Sequence, residues 1–218
     1  MHYDPRTGEH GLAHNPFTSL VVPRPIGWIS TISAAGVINL APFSFFNSLS
    51  ADPPCVMFCP NGVKPGTKER KDTLTNVEAT GEFVYNMCTT ELGEAMIRTA
   101  VHEPASIDEM AAAGLTAVAC EQVRPPRVGE SPIALECRYL QTVTLPKPLR
   151  GEQSQLVIGQ VVGIHIADEM IVDGIVDVRK VRPLARLGYL QYATIEPENV
   201  FSMRPPGGDH RFDKKAAE

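Results

Sequence analysis

The chain has 218 residues, 43% of them hydrophobic and 21% charged, and a formal net charge of −5. That length is ample for a buried core, whereas the acidic balance argues against a nucleic-acid partner, which needs surplus cations to displace counterions. No run reaches the roughly 18–20 apolar residues of a membrane-spanning helix, and the opening stretch 1–17 lacks the apolar region of a secretory signal, so a cytoplasmic protein without membrane contact is expected.

Frequent proline and glycine cut the chain into short pieces, the punctuation of a β-rich fold. Ile26 to Ile32 reads as a strand, and Ser33-Ala34-Ala35-Gly36 as a turn into Val37 to Leu40, which together make a hairpin. Pro42 removes a backbone donor and is expected to end that second strand. Pro54 to Cys59 follows, with Cys55, Met57 and Cys59 alternating as a buried strand face would. Asp72 is placed to cap a helix over Thr73 to Thr80, with Gly81 as its stop. Phe83 to Met87 is the next strand. A second helix is expected near Thr90, carrying Leu92, Met96 and Ala100. A third is expected from Ser106, paired with Glu109 as a capping box, to Gly114. Ile133 to Leu145 and Gln155 to Ala167 are long and β-prone, as for strands curling round a barrel. The five cysteines (Cys55, Cys59, Cys88, Cys120, Cys137) are odd in number and lack CxxC spacing, which argues against disulfides or a zinc knuckle. His10 and His14 lie in an irregular arm, and no metal site is expected. His165 reads as a packed or interface histidine, with a proton donor near a cofactor as the alternative.

Hydrolase, P-loop and dinucleotide-fold motifs are missing, and no catalytic dyad or triad stands out. Three segments suggest a ligand site. Ser30 and Thr31 put hydroxyls on opposite faces of an apolar strand; each must bond either local backbone or a ligand. Asn39 to Ser48 interleaves Phe43, Phe45 and Phe46 with Ser and Asn, which suits either a core or the walls and edge donors of a planar heteroaromatic ligand. Asn61 to Asn76 gathers four cations and several hydroxyls at a helix start, which suits either a solvated loop or a phosphate. Together the last two describe a flavin or pyridoxal mononucleotide site.

Arg24-Pro-Ile-Gly-Trp-Ile-Ser-Thr31, Gly36, Asn39-Leu-Ala-Pro-Phe-Ser-Phe-Phe-Asn47, Asp52-Pro-Pro54, Lys71-Asp-Thr73, Asn76 and Phe83-Val-Tyr-Asn86 occur in the order seen in the flavin reductase-like family. Gly159-Gln-Val-Val162, Asp173-Gly174 and Pro183 to Tyr192 extend the resemblance over roughly residues 15 to 205. It implies a mainly β fold with a few helices, the FMN-binding split barrel, flanked by an arm at 1–14 and a flexible tail at 206–218. It implies FMN at a homodimer interface, near Ser30 and Thr31, with Asn39, Ala41, Pro42, Ser44 and Asn47 bordering the ring and Lys71 and Thr73 holding the phosphate. Trp28 is implied either beside the flavin or in the core. The implied activity is reduction of FMN by NAD(P)H for a partner monooxygenase or other acceptor. A flavoredoxin-type electron carrier is the alternative, and a pyridoxine-phosphate-type oxidase ranks last.

Overall fold

A computed structural model describes residues 1–149, 151–204 and 206. Seven antiparallel strands form its main sheet: β1 (Gly27–Ile32), β2 (Ile38–Phe43), β3 (Phe46–Ala51), β4 (Pro54–Phe58), β5 (Glu82–Met87), β6 (Ile133–Thr144) and β7 (Gln155–Ile166). Their spatial order is β2-β1-β5-β6-β7-β4-β3. The two edge strands, β2 and β3, are consecutive in sequence and joined only by a bend at Ser44 and Phe45. The sheet must therefore curl until its edges approach. The result is the mainly β split barrel, with short helices, that the sequence implied.

The expected hairpin is β1–β2, in register from Gly27↔Phe43 to Ile32↔Ile38. Its turn carries Gly36 at φ 85°, a left-handed conformation that a side chain would strain. Pro42 does not end β2, which continues to Phe43. The strand lies at the sheet edge, where an N–H can be spared. In β4 the alternation is correct but the buried face is the other one: Val56 and Phe58 are buried, while Cys55, Met57 and Cys59 are half-buried.

β1 is buried on both faces. Ile29 joins Phe43, Phe46, Phe58, Phe83 and Val157 in the barrel interior, while Trp28 joins Ile26, Leu40, Met96 and Met110 in a second cluster outside it. Helix α1 (Asp72–Thr80) adds Leu74 and Val77 to the first cluster, which sets its N-terminus beside β2. Asp72 does not cap this helix: Lys71 occupies the cap position with no side-chain bond, and Asp72 pairs instead with Lys64 at 2.7 Å. Gly81 ends it at φ 75°.

Helix α2 (Gly93–Arg98) is shorter than expected and excludes Ala100. Helix α3 (Glu109–Ala112) is capped by Asp108, whose carboxylate accepts from the Ala111 amide, and not by Ser106. The expected tail at 206–218 lies, beyond residue 206, outside the described residues. Among the described residues no helix is long and apolar enough to cross a membrane.

Candidate functional site

A cleft of about 180 Å³ opens where β2, the start of α1 and the segment after α2 converge. Asn39, Ala41, Pro42 and Phe43 form one wall, Lys64, Lys71 and Thr73 a second, and Thr99, His102 and Glu109 a third. Of the four cations in the 61–76 segment, Lys64 is paired with Asp72 and Arg70 with Glu78 at 2.7 Å, and Lys68 is exposed. Lys71 is half-buried and, among the described residues, pairs with no carboxylate; its ammonium stands 5.9 Å from the centroid of the Phe43 ring. Burial lowers its pKa from 10.5. A half-buried cation without an ion-pair partner can take up an anion, although Asp72, Glu103 and Glu109 line the same cleft.

Behind this wall runs a buried polar network. Thr73 Oγ1 donates to Asn39 Oδ1 at 2.8 Å, and Thr31 Oγ1 donates to the same oxygen at 3.3 Å. Asn76 Nδ2 donates in turn to Thr31 Oγ1 at 3.1 Å. Glu109 accepts from the Leu40 amide at 3.1 Å and from the Asn39 side chain. Burial pushes the Glu109 carboxyl above its ordinary pKa, partly offset by these bonds. On the opposite face of β1, Ser30 Oγ donates to the Pro126 carbonyl at 2.6 Å and accepts from Asn86 Nδ2 at 3.2 Å. Trp28 is fully buried, with Nε1 donating to Thr99 Oγ1 at 2.9 Å.

The structure thus brings Asn39, Ala41, Pro42, Lys71 and Thr73 to one cleft. Thr31 stands behind it in the network, Trp28 is buried but bonds the wall residue Thr99, and Ser30 bonds within the core on the other side of β1. Ser44, at the bend, and Asn47, exposed on β3 with Oδ1 on the Ser48 amide, do not line it.

The lining residues Thr99, Ala100, Val101, His102, Glu103 and Glu109 have no place in the site read from the sequence. Glu109 reads from the sequence as the partner of Ser106 in a capping box, a pattern that carries no signal of the cleft. Thr99 carried none. Nor did His102, whose pKa is lowered by burial and by the charges of Lys71 and Lys64.

The flavin reductase-like domain matches residues 19–184. The chain belongs to the flavin reductase-like family. It is therefore a flavoprotein oxidoreductase in class. An uncharacterized protein of Aquifex aeolicus is 37% identical to this flavin reductase-like chain over 174 residues, covering 79% of it and 85% of the relative. Nitrilotriacetate monooxygenase component B from Bacillus cereus superposes with a TM-score of 0.78 at 30% identity, covering 88% of this chain and 98% of that one. The 2-nitrobenzoate 2-nitroreductase NbaA of Pseudomonas fluorescens gives 0.73 at 28% identity, with 92% of each chain covered.

Proposed function

We propose that this protein binds FMN and acts as an NAD(P)H:flavin oxidoreductase, delivering reduced flavin to a partner monooxygenase or another acceptor. The observation that carries the reading is Lys71: a half-buried, unpaired cation sharing a cleft with the β2 edge and the start of α1. The donor set suits a phosphate monoester. Lys71 supplies charge, His102 a second nitrogen, and the first-turn amides of α1 lack intrahelical partners. The Thr73 hydroxyl proton is already given to Asn39, so in this arrangement Thr73 offers a phosphate only its backbone amide.

The cleft, at about 180 Å³, is smaller than the roughly 300–1,000 Å³ of whole-ligand pockets. It suits the phosphate end, leaving the ring for the edge formed by Ala41, Pro42 and Phe43 and the bend at Ser44. A second copy of the chain would close that open side, which favours a homodimer. Bound flavin supplies two-electron redox chemistry; the chain's residues anchor it, orient it and exclude water. No proton-transferring side chain is assigned, in keeping with hydride transfer from a nicotinamide. With the matched domain extending over residues 19–184, we read 15–205 as the functional unit.

The test is a titration of wild type and Lys71→Ala with FMN and riboflavin. FMN should weaken about 10–100-fold, the equivalent of one charge-assisted contact, and riboflavin hardly at all. Equal weakening of both would remove the phosphate assignment. Stopped-flow mixing of the FMN-loaded protein with NADH or NADPH should bleach the flavin. Binding without bleaching would leave the flavoredoxin-type carrier in its place.

A further inference from the structure

We propose that Cys120, Glu136 and His165 form a binding site for a zinc-class divalent cation, separate from the Lys71 cleft. The three come from different parts of the chain: the loop after α3, the beginning of β6 and the end of β7. Their donor atoms, the Cys120 thiol sulfur, a Glu136 carboxylate oxygen and a His165 ring nitrogen, all lie within 4.8 Å of one another. His165 Nε2 is 2.5 Å from Glu136 Oε1.

The strand geometry explains the convergence. In the β6–β7 ladder Glu136 faces Gly163 and Ala134 faces His165, so Glu136 and His165 emerge on one face two residues apart. A register shift between Val161 and Gly163 re-aims this end of β7. A Cβ at position 163 would stand 3.0 Å from the Glu136 carboxyl carbon and 3.1 Å from Oε1, so glycine keeps the space over the carboxylate open.

Thiolate, imidazole and carboxylate are the ligand types that zinc takes, and three protein ligands with a fourth position for water is a known zinc arrangement. Metal–ligand bonds of about 2.0–2.3 Å put donors roughly 3.3–3.8 Å apart in a tetrahedron, so the present set needs shifts of about 1 Å. Glu136 is held for the task. Its side chain is 1% exposed, and it accepts from the amides of Glu121 at 3.1 Å, Gln122 at 2.6 Å and Val123 at 3.1 Å. Such hydrogen bonds to a ligating carboxylate fix its orientation. His165, 24% exposed, leaves the cluster reachable from solvent. Arg127 is a charged neighbour of Cys120, and its backbone amide donates toward the Cys120 sulfur. Binding breaks the Cys120 S–H bond, forms a metal–sulfur bond and releases that proton, while the proton that the neutral His165 ring holds on Nε2 toward Glu136 moves to Nδ1, so one proton leaves in all. No electron is transferred. The cation would fasten the 120–123 loop to the barrel wall.

The test is to strip the full-length protein with a chelator and titrate it with Co²⁺. One equivalent should bring up a thiolate-to-cobalt charge-transfer band that Zn²⁺ abolishes, with one proton released per cation. Cys120→Ser should remove the band, His165→Gln should weaken binding by about 100-fold, and Cys59→Ser should leave both unchanged. The histidines of the N-terminal arm can take up cobalt but cannot give the thiolate band. Absence of the band in wild type, or its persistence in folded Cys120→Ser, overturns the site. If Cys120→Ser does not fold, X-ray absorption on zinc-loaded wild type decides: one sulfur in the zinc coordination sphere supports the site, and none overturns it. FMN binding is not a readout, so this test and that of the proposed function fail separately.

Discussion

Thr73 and Thr31 give their hydroxyl protons to a single oxygen, Oδ1 of Asn39, so the start of α1 and the β1–β2 hairpin are tied at one buried atom. All three residues are buried. Asn39→Ala strands two hydroxyls and one side of Glu109, and each unpaired group costs about 1–3 kcal/mol. The expected loss is about 2–4 kcal/mol in urea unfolding, with the slope unchanged. A loss below about 0.5 kcal/mol would mean that water replaces the amide freely.

Trp28 and Thr99 form a second buried pair, linking the cluster outside the barrel to the cleft wall. Thr99→Val keeps the shape and removes the acceptor, leaving the indole N–H unpaired. Stability should fall by about 1–3 kcal/mol, while Thr99→Ser should stay within about 1 kcal/mol of wild type. A larger loss in Thr99→Ser than in Thr99→Val would show that packing of the methyl group, and not the bond, is what matters.

Lys71 makes affinity depend on alkaline pH. Burial lowers its folded pKa from 10.5, so in that window the unfolded chain binds more protons and the ligand-free protein becomes more stable as pH rises. A phosphate dianion needs the lysine charged, so FMN affinity should fall over the same window. Lys71→Arg, charged throughout, should give a flat profile. Parallel declines in both proteins would assign the effect to another group.

Gly159 faces the ring of Phe83: a Cβ there would stand 2.4 Å from two ring carbons and 3.2 Å from the Arg138 carbonyl. Phe83 is fully buried and packs edge-on to Phe58, so it has nowhere to move. Gly159→Ala should cost about 1–3 kcal/mol through overpacking, visible as a lowered melting temperature. An unchanged melt would mean that the barrel expands there without strain.

The strands and the first hairpin were legible because alternation and turn chemistry are local. What failed depended on partners remote in sequence. Cys55, Met57 and Cys59 alternate as well as Val56 and Phe58 do, and only the neighbouring strands decide which face is buried. Pro42 looks like a terminator until β2 is known to be an edge. Asp72 and Glu109 were read as capping groups, but Lys64 and Leu40 claim them across the fold. Within the site, residue types mark the 39–48 and 61–76 segments as candidates while leaving a core and a solvated loop open, and only the resemblance to the flavin reductase-like family singles out Lys71 and the β2 residues; His102 and Thr99 lie in an irregular stretch without a motif and carry neither signal. The hydroxyls of Ser30 and Thr31 did need partners, and found them 96 and 8 residues away.

Pro42 also bears on how copies of this chain can meet. The outer rim of β2 lacks a backbone donor at Pro42, so a foreign strand laid along it would have a gap in its ladder there. Pairing along that rim would be broken at Pro42, which discourages open-ended fibres of sheet.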